Sequence, residues 1–147
     1  MKALRVYFDA SIIIAALLSP TGGSSLLFQY VKAGKIIGVT SQTVIEETLK
    51  EDKPKKIKRS KREIEEFIAQ SNLIVRESIT IEEIAPYKDL VEIKDAHLIA
   101  GANLTKCSYL VTLDKKHLLK GDIKQRFLPL KIVSPKELLE DILTSSF

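Results

Sequence analysis

Two short apolar runs constrain this chain most: Arg5-Val6-Tyr7-Phe8 near its start and Tyr109-Leu110-Val111-Thr112 near its end. Both carry β-branched or aromatic residues at successive positions, as strands covered on both faces do. Asp9 follows the first run directly, and Asp114 follows the second after one intervening residue. A strand buried on both faces needs helices above and below it. The sequence supplies them in alternation.

Residues 12–18 form an apolar helix, and Pro20-Thr21-Gly22-Gly23 a loop. Ser24 is placed to cap a helix that carries Leu26, Leu27, Tyr30 and Val31 at helical spacing and ends at Gly34. A strand at 36–39 follows. Thr40 or Ser41 then caps a helix with Val44, Ile45 and Leu49, which Pro54 interrupts. A further helix spans 61–70 with Ile64, Phe67 and Ile68 on one face, and 73–75 reads as a third strand. Pro86 limits any helix within 78–91. Asp95 opens a helix in which Ala96, Ile99, Ala100 and Asn103 recur at helical spacing, with Gly101 allowing close packing. After the strand at 109–112, residues 130–133 form a last strand. Ser134-Pro135-Lys136-Glu137 starts the final helix with a capping serine, a first-turn proline and a glutamate three residues on.

Such alternation with short connections indicates a parallel sheet with helices on both faces. The 147 residues contain no internal repeat or low-complexity linker and read as one domain, 1–147. A chain of this length buries roughly 70% of its unfolded surface in one core. The single Cys107 fits a reducing, cytoplasmic setting. The longest apolar run, 12–18, is too short to span a bilayer, so no membrane association is expected.

Charge is unevenly spread. Of 23 basic residues, seven lie within Lys53-Pro54-Lys55-Lys56-Ile57-Lys58-Arg59-Ser60-Lys61-Arg62, which holds no acid. The rest of the chain is net acidic. A basic arm at 53–62 suits phosphates, whose neutralisation releases counterions. Lys55, Lys56, Lys58 and Arg59 are the expected RNA-binding residues.

In a parallel sheet, acids just past strand ends share one rim, where ligands gather. Four acidic positions are candidates for such a site: Asp9 follows strand one, Glu46 or Glu47 lies on the helix after strand two, Asp95 opens the central helix and Asp114 follows the next strand. Converging carboxylates repel one another, and a bound Mg²⁺ or Mn²⁺ relieves that repulsion. Adjacent helical residues face about 100° apart, so only one of Glu46 and Glu47 can point to the site. Spacing from Ser41 favours Glu47.

Several segments together resemble the PIN-domain nucleases. They are Phe8-Asp9-Ala10-Ser11-Ile12 before an apolar helix, Ser41 with Glu47 six residues later, Lys94-Asp95-Ala96-His97-Leu98-Ile99-Ala100, and Leu110-Val111-Thr112-Leu113-Asp114-Lys115-Lys116-His117-Leu118. Their order and spacing fit over residues 4–143, and the final helix resembles the tail of the toxin-like subgroup. The resemblance implies a three-layer α/β/α sandwich with a central parallel sheet. It also implies a Mg²⁺- or Mn²⁺-dependent endoribonuclease in which water attacks the phosphodiester in line, leaving a 5′ phosphate and a 3′ hydroxyl. By motif, Asp9, Glu47, Asp95 and Asp114 would be the acidic quartet, with Asp9, Asp95 and Asp114 on the metal. Ser11 and Thr112 would support them by hydrogen bonds, and Glu92 stands where toxin-like members carry another acid. Leu113 replaces a glycine frequent in the family. RNA is the implied substrate, and the resemblance leaves room for an antitoxin partner and a homodimer.

His97 and His117 are expected at the surface or behind the ligands rather than on zinc. Two other classes are weighed. A phosphatase or receiver-type domain would need an Asp-x-Asp after strand one or an aspartate directly after strand three, and neither is present. A non-catalytic RNA-binding module would not need acids at all four places.

Overall fold

The computed structural model describes residues 3–50 and 52–144; the ends of the expected domain lie outside these residues. Along them run β1 (Leu4–Phe8), α1 (Ala10–Leu18), α2 (Gly23–Lys32), β2 (Ile36–Ser41), α3 (Gln42–Thr48), α4 (Asp52–Ile57) and α5 (Lys61–Ala69). The second half continues with β3 (Ile74–Arg76), α6 (Ile81–Ile84), α7 (Ala96–Leu104), β4 (Tyr109–Val111), α8 (Gly121–Arg126), β5 (Lys131–Val133) and α9 (Pro135–Thr144). Short 3-10 turns cover Ala85–Tyr87 and Ile93–Asp95.

The five strands form one parallel sheet in the order β3-β2-β1-β4-β5. The chain builds outward from β1 to β3, then returns to lay β4 on the other side of β1. That reversal opens a crevice at the carboxyl ends of β1 and β4. The register pairs Phe8 with Val111, so the next residues, Asp9 and Thr112, emerge side by side. Asp9 and Asp114 therefore share one end of the sheet, as expected.

Successive strand residues point to opposite faces, and β1 shows what covers each. Tyr7 faces α7, where a side chain on Gly101 would come within contact of its hydroxyl and ring. Phe8 faces the other way and packs edge-on against Phe28 of α2, their ring centroids 5.0 Å apart. Val6, Tyr7 and Phe8 are wholly buried. On the Phe8 side α1 packs on α2, α3 and α5, and α2 on α9; on the Tyr7 side α7 lies across β1, β2 and β4. The result is the three-layer α/β/α sandwich.

Element ends differ from expectation where side chains cap them. The first helix begins at Ala10 rather than at 12, because Asp9 is its N-cap. Gly22, not Ser24, caps α2, and Ser24 is buried within the first turn. Ser41 caps α3 through a hydrogen bond from the Val44 N–H, while the Thr40 hydroxyl bonds the Phe8 carbonyl. The next helix ends at Thr48, short of Pro54, which instead sits in the first turn of α4. The basic stretch is thus folded into α4 and the start of α5 rather than extended as an arm. In the unassigned segment, Thr80 and Glu83 close a capping box on α6, and Glu83 also pairs with Arg76 at 2.6 Å. Ser134 and Glu137 form the expected box on α9.

Candidate metal centre

Asp9 is the fixed point of the rim. Its Oδ1 accepts from the N–H groups of Ser11 and Ile12 and from the Ser11 hydroxyl; its Oδ2 accepts from the Thr112 hydroxyl. Both hydroxyls also accept, Ser11 Oγ from the Leu113 N–H and Thr112 Oγ1 from the Asp114 N–H, each at 3.1 Å. Two serine/threonine hydroxyls thereby stitch the loop after β1 to the loop after β4. Leu113 fits this arrangement because its backbone makes the contact while its side chain is exposed. Burial pushes the Asp9 carboxyl above its usual range, against the pull of these donors.

Asp114 folds the chain back on itself. Its Oδ1 accepts the N–H groups of Lys116 and His117 at 3.1 and 3.0 Å, leaving Oδ2 3.4 Å from His117 Nδ1. Across the crevice, Asp95 ends the 3-10 turn before α7, and its Oδ2 lies 3.9 Å from the same nitrogen. Asp95, Asp114 and His117 each offer a ligand atom within 4.8 Å of the others.

Glu47 approaches from α3. Its Oε2 lies 3.2 Å from His97 Nε2, close but not aligned as a hydrogen bond. Both residues line a cleft of about 540 Å³ with Thr43, Glu46, Lys50, Asp52, Lys53 and Lys94. Burial works against the Glu47 charge, yet His97, Lys50 and Lys53 outweigh it and hold the carboxyl below its usual value. Asp95 goes the other way. Burial and then the nearby charge of Asp114 raise it to about 6, with Asp9 and Glu47 adding to the push. The charges of Asp114, Asp9 and Glu47 thus all bear on Asp95.

The donor set fits a hard divalent cation. The buried oxygens Asp95 Oδ2 and Glu47 Oε2 have no hydrogen-bond partner, an arrangement costly in a low-dielectric pocket unless a cation or water meets them. Mutual repulsion among carboxylates is likewise what a cation removes.

Several expected residues stand elsewhere. Asp9, whose oxygens accept from Ser11 and Thr112, is not among the three residues whose ligand atoms lie within 4.8 Å of one another. Glu92 is exposed, and only its carbonyl takes part locally, accepting from the Asp95 N–H. Of the basic residues, Lys55, Lys56 and Lys58 are exposed, Lys56 stands 3.7 Å from Asp52, and Arg59 stands 4.0 Å from Glu63. None of these four lines the cleft; Lys50, Lys53 and Lys94 do. Of the two positions expected for His97, it takes the buried one beside Glu47, since α7 is covered on nearly every side. His117 joins the carboxylates directly. Its sequence signal was its position three residues after Asp114, where an aspartate-capped turn brings a side chain back beside the cap.

The model of a family described as PIN domain matches residues 5–116. No curated protein matches the sequence. Among solved structures, the fold is similar to VapBC2 from Rickettsia felis bound to a DNA fragment from its promoter, with TM-score 0.61 and 15% identity, covering 89% of this chain and 98% of that one. It is also similar to Mycobacterium tuberculosis VapC20, described as a sarcin-ricin loop cleaving toxin, with TM-score 0.54, 14% identity and coverage of 76% and 91%. A third is FitAB bound to IR36 DNA, with TM-score 0.53, 13% identity and coverage of 88% and 94%. At these identities the likeness is one of fold.

Proposed function

The chain belongs to the PIN-domain family, and on that premise we propose that it is a metal-dependent endoribonuclease acting as the toxin of a toxin–antitoxin pair. The observation that supports this reading is the convergence of Asp95 and Asp114 with His117, the buried Asp95 Oδ2 lacking a hydrogen-bond partner and the charges of Asp9 and Glu47 bearing on Asp95. Family membership supports nuclease chemistry in general. The toxin role draws on the likeness of fold to VapC20, VapBC2 and FitAB.

Asp95 and Asp114 would hold a Mg²⁺ or Mn²⁺, with the charges of Asp9 and Glu47 nearby. Such an ion supplies positive charge to the phosphate in the transition state and eases deprotonation of the attacking water. The chain's own residues do the rest. Ser11 and Thr112 fix Asp9 and, through Leu113 and Asp114 backbone contacts, the loop that carries Asp114. Lys50, Lys53 and Lys94 line the cleft beside Glu47, where they can attract the phosphates of a single strand, so that RNA approaches an acidic centre through a basic entrance. No helix among the described residues is long and apolar enough to cross a membrane alone, in keeping with a toxin that acts in the cytoplasm. An antitoxin would mask this centre, and a homodimer would set two of them in one particle.

The test is cleavage of a labelled single-stranded RNA pool by wild type and Asp95→Asn, each with Mg²⁺, with Mn²⁺ and with chelator. Cutting is expected only for wild type with metal, the variant losing about 100-fold or more. Expression should arrest growth of a host with wild type and not with Asp95→Asn. A wild type that binds RNA without cutting any of it would instead make the domain a binding module.

A further inference from the structure

His117 is the imidazole that faces both Asp95 and Asp114, and its backbone explains why. The Asp114 carboxylate accepts the His117 N–H at 3.0 Å, and the Asp114 carbonyl accepts the N–H groups of Leu118 and Leu119 at 3.2 and 2.9 Å. Leu118 is wholly buried and pins the turn to the core. The ring is therefore presented to the crevice by a fixed turn, although its side chain is 39% exposed.

The spacing separates two roles for that ring. His117 Nδ1 stands 3.4 Å from Asp114 Oδ2 and 3.9 Å from Asp95 Oδ2. Both distances exceed an N–H···O hydrogen bond of about 2.7–3.2 Å. Ligand atoms that each sit about 2.1 Å from one ion stand roughly 3 to 4 Å apart. The gap therefore has the dimensions of a shared ion rather than of a shared proton. Asp95 Oδ2, buried and without a partner, borders the same gap.

We infer that His117 Nδ1 is a ligand of the divalent ion held by Asp95 and Asp114, and that this one nitrogen makes the centre select Mn²⁺ over Mg²⁺. The inference rests on the metal-centre reading above and narrows it. Mg²⁺ favours oxygen ligands and sheds water reluctantly, whereas first-row transition ions take imidazole readily. Mn²⁺ accepts both donor types, so a site with two carboxylates and one imidazole discriminates between the two ions through the nitrogen.

Calorimetric titration of the metal-free full chain with MnCl₂ and with MgCl₂ separately tests this, for wild type, His117→Ala and Asp95→Asn. Pulsed electron paramagnetic resonance of the Mn²⁺-loaded wild type and His117→Ala accompanies it. Wild type should bind Mn²⁺ at least about 10-fold tighter than Mg²⁺ and show nitrogen coupling to the ion. His117→Ala should lose about 10- to 100-fold in Mn²⁺ affinity, keep its Mg²⁺ affinity within about 3-fold, and lose the coupling. Melting in chelator, expected to match wild type, establishes that the variant folds. Equal losses for both ions, or coupling that persists in His117→Ala, would overturn the role of His117 and leave the metal centre standing. Failure of the wild type to bind either ion would overturn the metal centre itself, and this inference with it.

Discussion

Thr112 ties two acids of the rim together, donating to Asp9 Oδ2 and accepting from the Asp114 N–H. Thr112→Val keeps the shape and removes both bonds. It should cost about 1–3 kcal/mol in denaturant unfolding and weaken divalent-ion binding about 10-fold or more by calorimetry, since such supporting bonds orient the ligands. Thr112→Ser should retain most of both. At this scale Asp9, Asp95 and Asp114 were legible because each follows or opens an apolar element, a position that topology turns towards one rim. The histidines were not. Whether a side chain three residues past an aspartate points outward or back depends on the hydrogen bonds of Asp114 to the Lys116 and His117 backbone, which no periodicity encodes. For His97 the sequence left a surface and a buried position open, because α7 is covered almost all round and has no polar face to decide between them; it lies buried beside Glu47.

Among elements, α7 and β1 make the tightest fit. A methyl group on Gly101 would overlap the Tyr7 hydroxyl oxygen and the ring carbon that bears it. Gly101→Ala improves helix propensity by about 1 kcal/mol yet overpacks the core, so a net loss of about 1–3 kcal/mol is expected in thermal or denaturant unfolding. A stabilised variant would mean that the two elements can separate freely. The basic residues give a second prediction at this level. Replacing Lys50, Lys53 and Lys94 together by Ala should reduce the slope of log affinity against log salt for single-stranded RNA by roughly 0.7 per lost phosphate contact. The same change at Lys55, Lys56, Lys58 and Arg59 should alter the slope less, because those side chains do not line the cleft. The central strands were legible from composition, since both their faces are covered. The short pieces α4, α6 and α8 were not. Local devices hold α4 and α6, such as the Arg76–Glu83 pair and the surface contact of Lys56 with Asp52, and these leave only faint patterns in a sequence.

For the molecule as a whole, the acidic crevice makes stability depend on pH in an unusual direction. Asp95 is raised from 3.8 to about 6, so between those values the folded chain holds a proton that the unfolded chain has released. Its contribution is fully present below pH 4 and is lost as pH rises through 6; Asp9, also raised, acts in the same sense. In chelator, Asp95→Asn should therefore stabilise the fold at pH 7 by on the order of 1 kcal/mol, solvent at the open side of the group reducing the effect. At pH 4 the two proteins should unfold alike, and saturating Mn²⁺ should reverse their order at pH 7. Comparing them at each pH cancels carboxylates such as Glu47, which is lowered and shifts stability the opposite way. The hydrogen bond from Thr112 to Asp9 spans 103 positions of sequence, and that span is also an interval of time. At the roughly 5–20 residues per second of synthesis, Asp9 leaves the ribosome some 5 to 20 s before the hydroxyl that completes its setting. A nascent chain accordingly has no assembled centre until Thr112 has emerged, so the acids near its start wait unpaired for the strand that completes them.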